Sequence, residues 1–372
     1  MSEWKETRLG KLIEINPETL SVSKYTGEIK YIDIASVNTG SLEGYTTYEI
    51  SDAPSRARRI IKDKDIIFST VRPNLRAYYF VKNAPPNAIC STGFAVLRAK
   101  KGVNSRFIYS LVTENSFVDY LALVAKGSAY PAVDTNDFKK AKLTVPDLPT
   151  QDRIADILSA YDELIEANTR RIELLEQAAQ ELYKEWFVRF RFPGYENTKF
   201  ESGLPEGWDF CRLGKIMSFG AGKTRPESGE TYPVYGGNGI LDYCNYYNNE
   251  NAIIIGRVGA YCGTVYYEPD KCWISDNALF AESKNDACLY NYYLLKNMNL
   301  NARQVGTGQP LITQGLLNKI KILLPPEPVV KKFNEISSEL LKQQHALRKQ
   351  NTNLAAQRDM LLPRLMSGKL EV

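Results

Sequence analysis

The chain has 372 residues, of which 44% are hydrophobic and 24% charged, with a net charge of +4; that is room for two or three domains and the composition of an ordinary soluble globular protein. No apolar run is long enough to span a bilayer and no basic-then-apolar segment opens the chain, which points to a cytoplasmic protein with no membrane partner. The cysteines Cys90, Cys211, Cys244, Cys262, Cys272 and Cys288 form no C-x-x-C pair and five of them lie beyond residue 200, which argues against a zinc cage or a symmetric disulfide frame.

The chain opens on Trp4-Lys5-Glu6-Thr7-Arg8-Leu9-Gly10-Lys11-Leu12, and the pattern returns 204 residues later as Trp208-Asp209-Phe210-Cys211-Arg212-Leu213-Gly214-Lys215-Ile216. Two copies of one domain are expected. Residues 1–150 hold 21 Lys and Arg against 16 Asp and Glu, densest at Arg56, Arg58, Arg59, Lys62, Lys64, Arg72 and Arg76. Such a stretch can track a phosphate backbone, or form a solvated edge with Asp63 and Asp65 interspersed. Residues 66–68 and 78–81 read as strands, and Ser69-Thr70-Val71-Arg72-Pro73-Asn74-Leu75-Arg76 is the loop between them. A helix is expected over residues 106–125, and Gly127-Ser128-Ala129-Tyr130-Pro131 closes the copy fifteen residues before Pro146.

After Pro146-Asp147-Leu148-Pro149 the pattern becomes helical, with Thr150 or Asp152 available as cap and no Pro or Gly until Pro193-Gly194. Ile154, Tyr161, Asn168, Leu175 and Leu182 recur every seven residues, widened by Ile157, Leu158, Leu164, Ile165, Ile172, Ala178, Ala179 and Trp186. About 40 residues at 1.5 Å each make a rod of roughly 60 Å.

In the second copy Gly220-Ala221-Gly222-Lys223-Thr224 imitates a phosphate-binding loop but lacks the required earlier glycine, where Met217 stands, and Arg225-Pro226 interrupts the helix that should follow. Tyr235-Gly236-Gly237-Asn238-Gly239 comes next, and residues 252–255 and 263–267 read as strands flanking Arg257-Val258-Gly259-Ala260-Tyr261. Tyr232, Tyr235, Tyr243, Tyr246, Tyr247, Tyr266 and Tyr267 are read mostly as packing rather than base-stacking platforms. A helix is expected over residues 289–298. Gly306-Thr307-Gly308-Gln309-Pro310 then closes the copy fifteen residues before Pro325, 179 residues after its counterpart. The second copy is thus 25 residues shorter inside.

A second rod begins after Pro325-Pro326-Glu327-Pro328, with Phe333, Leu340, Leu347, Leu354 and Leu361 in strict heptads and Ile336, Gln343, Gln350 and Gln357 beside them, a coiled-coil spacing with a partly polar seam. Pro363 should bend or end it at Leu362. Connectivity makes the rods antiparallel if they pair, giving a dumbbell with an approximate two-fold axis. The fold class expected is α+β: two globular domains of one fold joined by two long antiparallel helices. Residues 1–148 form the first domain, 149–192 the first helical spacer, 193–326 the second domain and 327–372 the second spacer.

Catalytic chemistry is scarce. The sole histidine, His345, falls on the second rod, so no His-based triad, acid–base pair or metal centre can be assembled. No dinucleotide-binding glycine fingerprint follows a strand.

These motifs resemble the specificity subunit of type I restriction-modification systems. The resemblance rests on the Trp-x-x-x-Arg-Leu-Gly openings at Trp4 and Trp208, the Gly-Thr-Gly-Gln-Pro close at Gly306 and Tyr235-Gly236-Gly237-Asn238-Gly239. It rests further on Glu185-Trp186-Phe187-Val188-Arg189-Phe190-Arg191-Phe192-Pro193-Gly194 after the first rod and Leu361-Leu362-Pro363-Arg364-Leu365-Met366-Ser367-Gly368-Lys369-Leu370 after the second. It implies two target recognition domains, each reading one half of a bipartite double-stranded DNA sequence, with the helices as a ruler. It also implies two modification (methyltransferase) subunits on the helices and restriction (motor-nuclease) subunits completing the complex. S-adenosylmethionine, ATP and Mg would belong to those partners, and this chain would be non-catalytic and bind no cofactor or metal itself. The first copy departs from the pattern in closing on Gly-Ser-Ala-Tyr-Pro.

The residues expected to contact DNA are Arg56, Arg58, Arg59, Arg72, Asn74, Arg76, Lys126, Ser128 and Tyr130 in the first copy. In the second they are Lys223, Arg225, Asn238, Arg257, Tyr261, Thr307 and Gln309. Arg, Asn and Gln can pair with base edges, and the glycines permit close backbone approach. The competing readings are a self-contained DNA methyltransferase or nuclease with fused recognition domains, against which the missing nucleotide-binding glycines argue, and a coiled-coil scaffold that only joins proteins.

Overall fold

The computed structural model describes residues 4–21, 25–303 and 310–372. It divides into two compact units, Met1–Ala167 with Gln350–Val372, and Asn168–Lys349.

In the first unit the opening motif folds into strand Lys5–Arg8, a single helical turn Leu9–Leu12 and strand Ile13–Ile15. Lys5–Arg8 pairs antiparallel with Lys142–Val145, which follows the closing motif. Strand Ile13–Ile15 edges a four-stranded antiparallel sheet in the order Ile13–Ile15, Phe94–Ala99, Ile66–Ser69, Tyr78–Phe80. Ile66 and Phe68 face the helices Ser105–Thr113 and Thr135–Lys140 and the long helix, while Ile67 faces a second four-stranded sheet. A strand covered on both faces has no reason to alternate, hence the unbroken run Ile66-Ile67-Phe68. The second sheet runs Thr46–Glu49, Glu28–Ile32, Ala88–Ser91, Ala57–Ile60.

The second unit repeats this core. Strand Asp209–Arg212 pairs with Lys321–Leu324. The turn Leu213–Ile216 leads into a six-stranded sheet ordered Met217–Ala221, Ala278–Ser283, Asn249–Gly256, Val265–Ile274, Tyr232–Gly236, Gly239–Cys244. Its first four strands match the first unit's sheet strand for strand. Ile253, Ile254 and Ile255 alternate between two apolar clusters just as Ile66, Ile67 and Phe68 do.

The opening repeat has a packing reason in both units. The helical turn lies so close to the helix before the closing strand that a Cβ on Gly10 would sit 3.0 Å from Lys139 Cβ, and one on Gly214 2.5 Å from Asn318 Oδ1. The backbone N–H groups of Leu9 and Leu213 donate to the carbonyls of Ala141 and Ile320. The carbonyls of Gly10 and Gly214 accept from Lys100 and Lys284 at 3.0 and 2.6 Å. That lysine pair is a third repeat, visible in the contact rather than in the flanking residues.

Helix Leu148–Tyr183 begins in the first unit and helix Glu327–Met366 in the second. Within the first unit Arg358 donates to Asp162 at 2.7 Å and Asn351 to the Ile165 carbonyl. Within the second, Phe333 packs on Tyr183, Trp186 and Phe187. In the first set the order reverses, Asp162 meeting Arg358 and Ile165 meeting Asn351, so the helices run antiparallel there. The helix ends explain the two motifs of the resemblance. After Tyr183 one π-type turn, Lys184–Val188, places the adjacent Trp186 and Phe187 both inward. Trp208 then receives Phe187, Phe190 and Phe192. In the first unit Leu361, Leu362, Leu365, Met366 and Leu370 join Trp4 on the core.

Five expectations are corrected. The first long helix starts at Leu148, and Asp147 rather than Thr150 or Asp152 caps it, accepting from Thr150 N at 3.1 Å. Pro149 is tolerated because N–H groups in the first turn have no intrahelical acceptor. The helix expected over residues 106–125 breaks at Glu114, whose extended backbone (ψ 147°) separates Ser105–Thr113 from Asn115–Val124. Seam positions 154, 161, 168, 175 and 182 hold, but of the flanking residues Ile157, Leu164 and Ala178 are exposed. On the second helix the neighbouring row lies one residue later than expected: Ser337 and Gln344 are buried, while Gln343, Gln350 and Gln357 are exposed. The contacting flank is thus the one four residues beyond Phe333, with Asn351 and Arg358 on it. Pro363, finally, does not end the helix, which runs on to Met366 because burial of Leu365 and Met366 outweighs the missing N–H. Gly368 makes the stop, at φ +69° and with Trp4 Nε1 only 2.8 Å from where a Cβ would lie.

Candidate nucleic-acid interface

In each unit the two loops singled out by repetition meet at one end of the shared sheet. In the first unit Val71 bridges Ala132, Arg72 N donates to the Pro131 carbonyl and Val133 N to the Thr70 carbonyl. In the second Val258 bridges Leu311, Gly259 N donates to the Pro310 carbonyl and Ile312 N to the Arg257 carbonyl. The correspondence extends through the turn: Ser69 N bonds Ala77 O, and Gly256 N bonds Thr264 O. Residues 69–77 therefore match 256–264 at a constant offset of 187. By this register Arg72 corresponds to Gly259, Arg76 to Gly263, Asn74 to Tyr261 and Thr70 to Arg257.

Of the remaining candidates, Arg56 and Lys223 lie against the turn that leads into strand Phe94–Ala99 or its counterpart Ala278–Ser283, while Arg58 and Arg59 lie on strand Ala57–Ile60. In the first unit Thr92 N donates to the Arg56 carbonyl and Thr70 N to the Gly93 carbonyl. In the second, Gly222 N donates to the Ala278 carbonyl, Lys223 N to Ile274 and Arg257 N to Asn277. The tight hairpin carrying exposed Asn238 abuts the loop that ends at Thr264, whose Oγ1 donates to the Gly237 carbonyl. Gly222 is here because a Cβ would lie 2.0 Å from the Ser275 carbonyl oxygen, and with the Gly222 and Lys223 N–H groups already bonded to backbone carbonyls neither is free to cradle a phosphate. Lys126, Ser128 and Tyr130 are exposed on the closing loop of the first unit. Thr307 and Gln309, on that of the second, lie outside the described residues.

Charge pairing differs between the loop end and part of the scaffold. Several of the first unit's cations away from the loop end are neutralised: Arg98 grips the buried Asp65 through two nitrogens at 2.7 Å and reaches Glu18 at 2.6 Å. Lys62 also pairs with Glu18, Lys82 with Glu166 and Arg106 with Glu163. Hydrogen bonds from Lys62 and then Arg98 hold the Glu18 carboxyl below its usual range. Among the described residues no carboxylate pairs with Arg56, Arg58, Arg59, Arg72 or Arg76. Arg58 donates to its neighbour's carbonyl at Ala57 and Arg59 weakly to Thr19. Arg72 lies 4.8 Å over the Tyr130 ring and donates to the Ala129 carbonyl at 3.0 Å. Arg76 is turned inward: burial raises the Tyr78 hydroxyl pKa while the charge and hydrogen bond of Arg76 oppose the rise. In the second unit Arg225 is paired with Asp242 at 2.5 Å, while Lys223 and Arg257 have no carboxylate partner among the described residues. Of the tyrosines, Tyr235 is buried against Glu268, whereas Tyr243, Tyr246 and Tyr247 are exposed, with Lys271 over the Tyr247 ring.

Unpaired cations beside exposed amides, hydroxyls and aromatic rings suit a polyanion with readable edges. Among the described residues no group of three His, Cys, Asp or Glu is placed to hold a metal ion, the six cysteines are free, and no helix is long and apolar enough to cross a membrane.

The family described as type I restriction modification DNA specificity domain matches residues 1–177 and again 205–355. The MjaIX type I restriction enzyme specificity subunit of Methanocaldococcus jannaschii is 27% identical over 314 residues, 75% of this chain and 72% of that one. The HindI specificity subunit of Haemophilus influenzae is 33% identical over 198 residues, 51% of this chain and 42% of its own length. The type I restriction-modification S subunit from M. genitalium has the same fold, with a TM-score of 0.58 at 17% identity over 98% of this chain and 96% of that one. With its domain present twice, each copy built on the same sheet and loop pair, the chain belongs to the type I restriction-modification specificity family and is a DNA-recognising specificity subunit.

Proposed function

We propose that each unit reads one half of a bipartite double-stranded DNA sequence and that the chain itself catalyses nothing. One observation carries this reading: the same sheet presents the same pair of loops in both units, but with different side chains at matching positions, as with Arg72 and Gly259. A common mount bearing different readers fits a target with two unlike halves. Phosphate contacts by the unpaired cations would set orientation, and base-edge contacts would set sequence. Exposed faces of the two long helices are the proposed seats for two methyltransferase subunits, with motor-nuclease restriction subunits completing a cytoplasmic complex. S-adenosylmethionine, ATP and Mg would be handled by those partners.

The test is to map methylated bases in DNA from cells carrying this chain and its methyltransferase partner. A motif with two defined parts and an undefined gap is expected; one continuous motif overturns the reading. Inserting seven residues into each long helix should widen the gap by about 3 base pairs, since seven residues add about 10.5 Å. The purified chain alone, given DNA and S-adenosylmethionine, should transfer no methyl groups.

A further inference from the structure

The offset of 187 aligns two backbone positions whose conformations agree and whose residues do not. Gly259 and Gly263 have φ +73° and +88°, left-handed values that glycine adopts freely. Arg72 and Arg76 hold the same region at φ +48° and +56°, where a side chain is strained. The turn itself needs no arginine, because the second unit builds it with glycines. For Arg76 the interior supplies a reason, the hydrogen bond to the buried Tyr78 hydroxyl. Arg72 has no such reason: its side chain is exposed, and its partners are the exposed Tyr130 ring and the Ala129 carbonyl. A residue kept in a strained conformation with only exposed partners is a candidate for direct function.

We propose that Arg72 is a base-reading residue of the first unit and takes the major-groove edge of a guanine, at O6 and N7, in that unit's half-site. The inference rests on the reading that each unit recognises a half-site, and adds which residue reads and what it reads. Stacking on Tyr130 fixes the guanidinium plane, and the Ala129 carbonyl takes only one of its five N–H groups. The rest remain for the bidentate pairing that arginine makes with guanine. Exposed Asn74 and Leu75, with Leu75 63% exposed, stand beside it in the same turn. Asn can pair with an adenine edge, and an exposed apolar side chain suits a thymine methyl. The second unit has Gly259 in place of Arg72, so its half-site is read by other residues.

The experiment uses the complex with its methyltransferase subunits and measures methylation rates on a DNA library in which every base pair of both half-sites is varied. Arg72→Gly is expected to leave the melting temperature unchanged or raised, because the strain is relieved. It should reduce discrimination at one G·C pair of a single half-site by roughly 5- to 100-fold, leaving the other half-site untouched. Arg72→Lys keeps the charge but not the fork, and is expected to lose the same discrimination while retaining the salt dependence of binding. A uniform loss of affinity over all sequences would make Arg72 a phosphate contact, and a lowered melting temperature with unchanged discrimination would make it a strut for the closing loop. Either result overturns the proposal while leaving a bipartite motif for the wild-type complex intact; absence of that motif would instead remove the underlying reading.

Discussion

The two units share a four-stranded sheet and differ in what they add to it. The second unit extends the sheet by a hairpin, Tyr232–Gly236 and Gly239–Cys244, giving six strands. The first builds a separate sheet, and the strand equivalent to Val265–Ile274 is split into Tyr78–Phe80 and Ala88–Ser91. The offset between copies falls from 204 at Ile13–Ile15 to 187 at Ile66–Ser69, so 17 of the 25 extra residues lie between them. Beside the opening turn the units agree at Arg8, Leu9 and Gly10 with Arg212, Leu213 and Gly214, and at Lys100 with Lys284. Divergence is concentrated in the segments that surround the loop end, as expected if one mount carries two different readers.

The largest expected effect concerns the helix ends. Trp208 is buried among three phenylalanines, whereas Trp4 is half-buried against leucines and Gly368. Trp208→Ala should cost about 3–5 kcal/mol, and Trp4→Ala clearly less, by urea unfolding; equal losses would mean that the two docking sites are equivalent after all. Next comes the network peculiar to the first unit. Register places Ala252 and Glu282 where that unit has Asp65 and Arg98. Asp65→Ala leaves the half-buried Arg98 with Glu18 alone and should cost about 1–3 kcal/mol. Adding Arg98→Met should recover part of the loss, and an additive double mutant would deny the coupling.

Acid probes the same network. Because the folded-state pKa of Glu18 is depressed, its contribution is present above the ordinary value of about 4.3 and is lost as pH falls through the lowered one. Glu18→Gln should therefore flatten the acid limb of the first unit's stability curve, and an unchanged limb would mean that other carboxylates dominate. The smallest effect is the mirror of the arginine argument: Gly259→Arg should destabilise the second unit by about 1 kcal/mol, read by thermal melting. No loss would show that the turn accepts side chains without strain.

Much of the scaffold was legible because its causes are local. Heptads expose the two helices, double-sided burial makes Ile66-Ile67-Phe68 and Ile253-Ile254-Ile255 continuous apolar runs, and close helix approach fixes Gly10 and Gly214. The first unit's second sheet was not legible, since an edge such as Thr46–Glu49 is largely exposed and polar and carries no burial pattern. The row beside the second helix's seam lies one residue from its expected place because Ile336 outweighs Ser337 by hydropathy, although Ser337 is the more deeply buried. At the interface the pairing of the two loops was visible as repetition. The match of Arg72 to Gly259 was not, because it depends on backbone conformation and hydrogen-bond register rather than on shared residue types. Nor does a sequence separate unpaired cations such as Arg72 from neutralised ones such as Arg98, whose partners Asp65 and Glu18 are 33 and 80 positions away.

The account's central claim is that the two units read independently. The measurement that tests it most directly is the methylated motif produced when residues 13–126 are replaced by the equivalent region of a relative with a different motif. One half-site should change to the donor's while the other half-site and the gap stay as they were; a change in both halves together would contradict the claim.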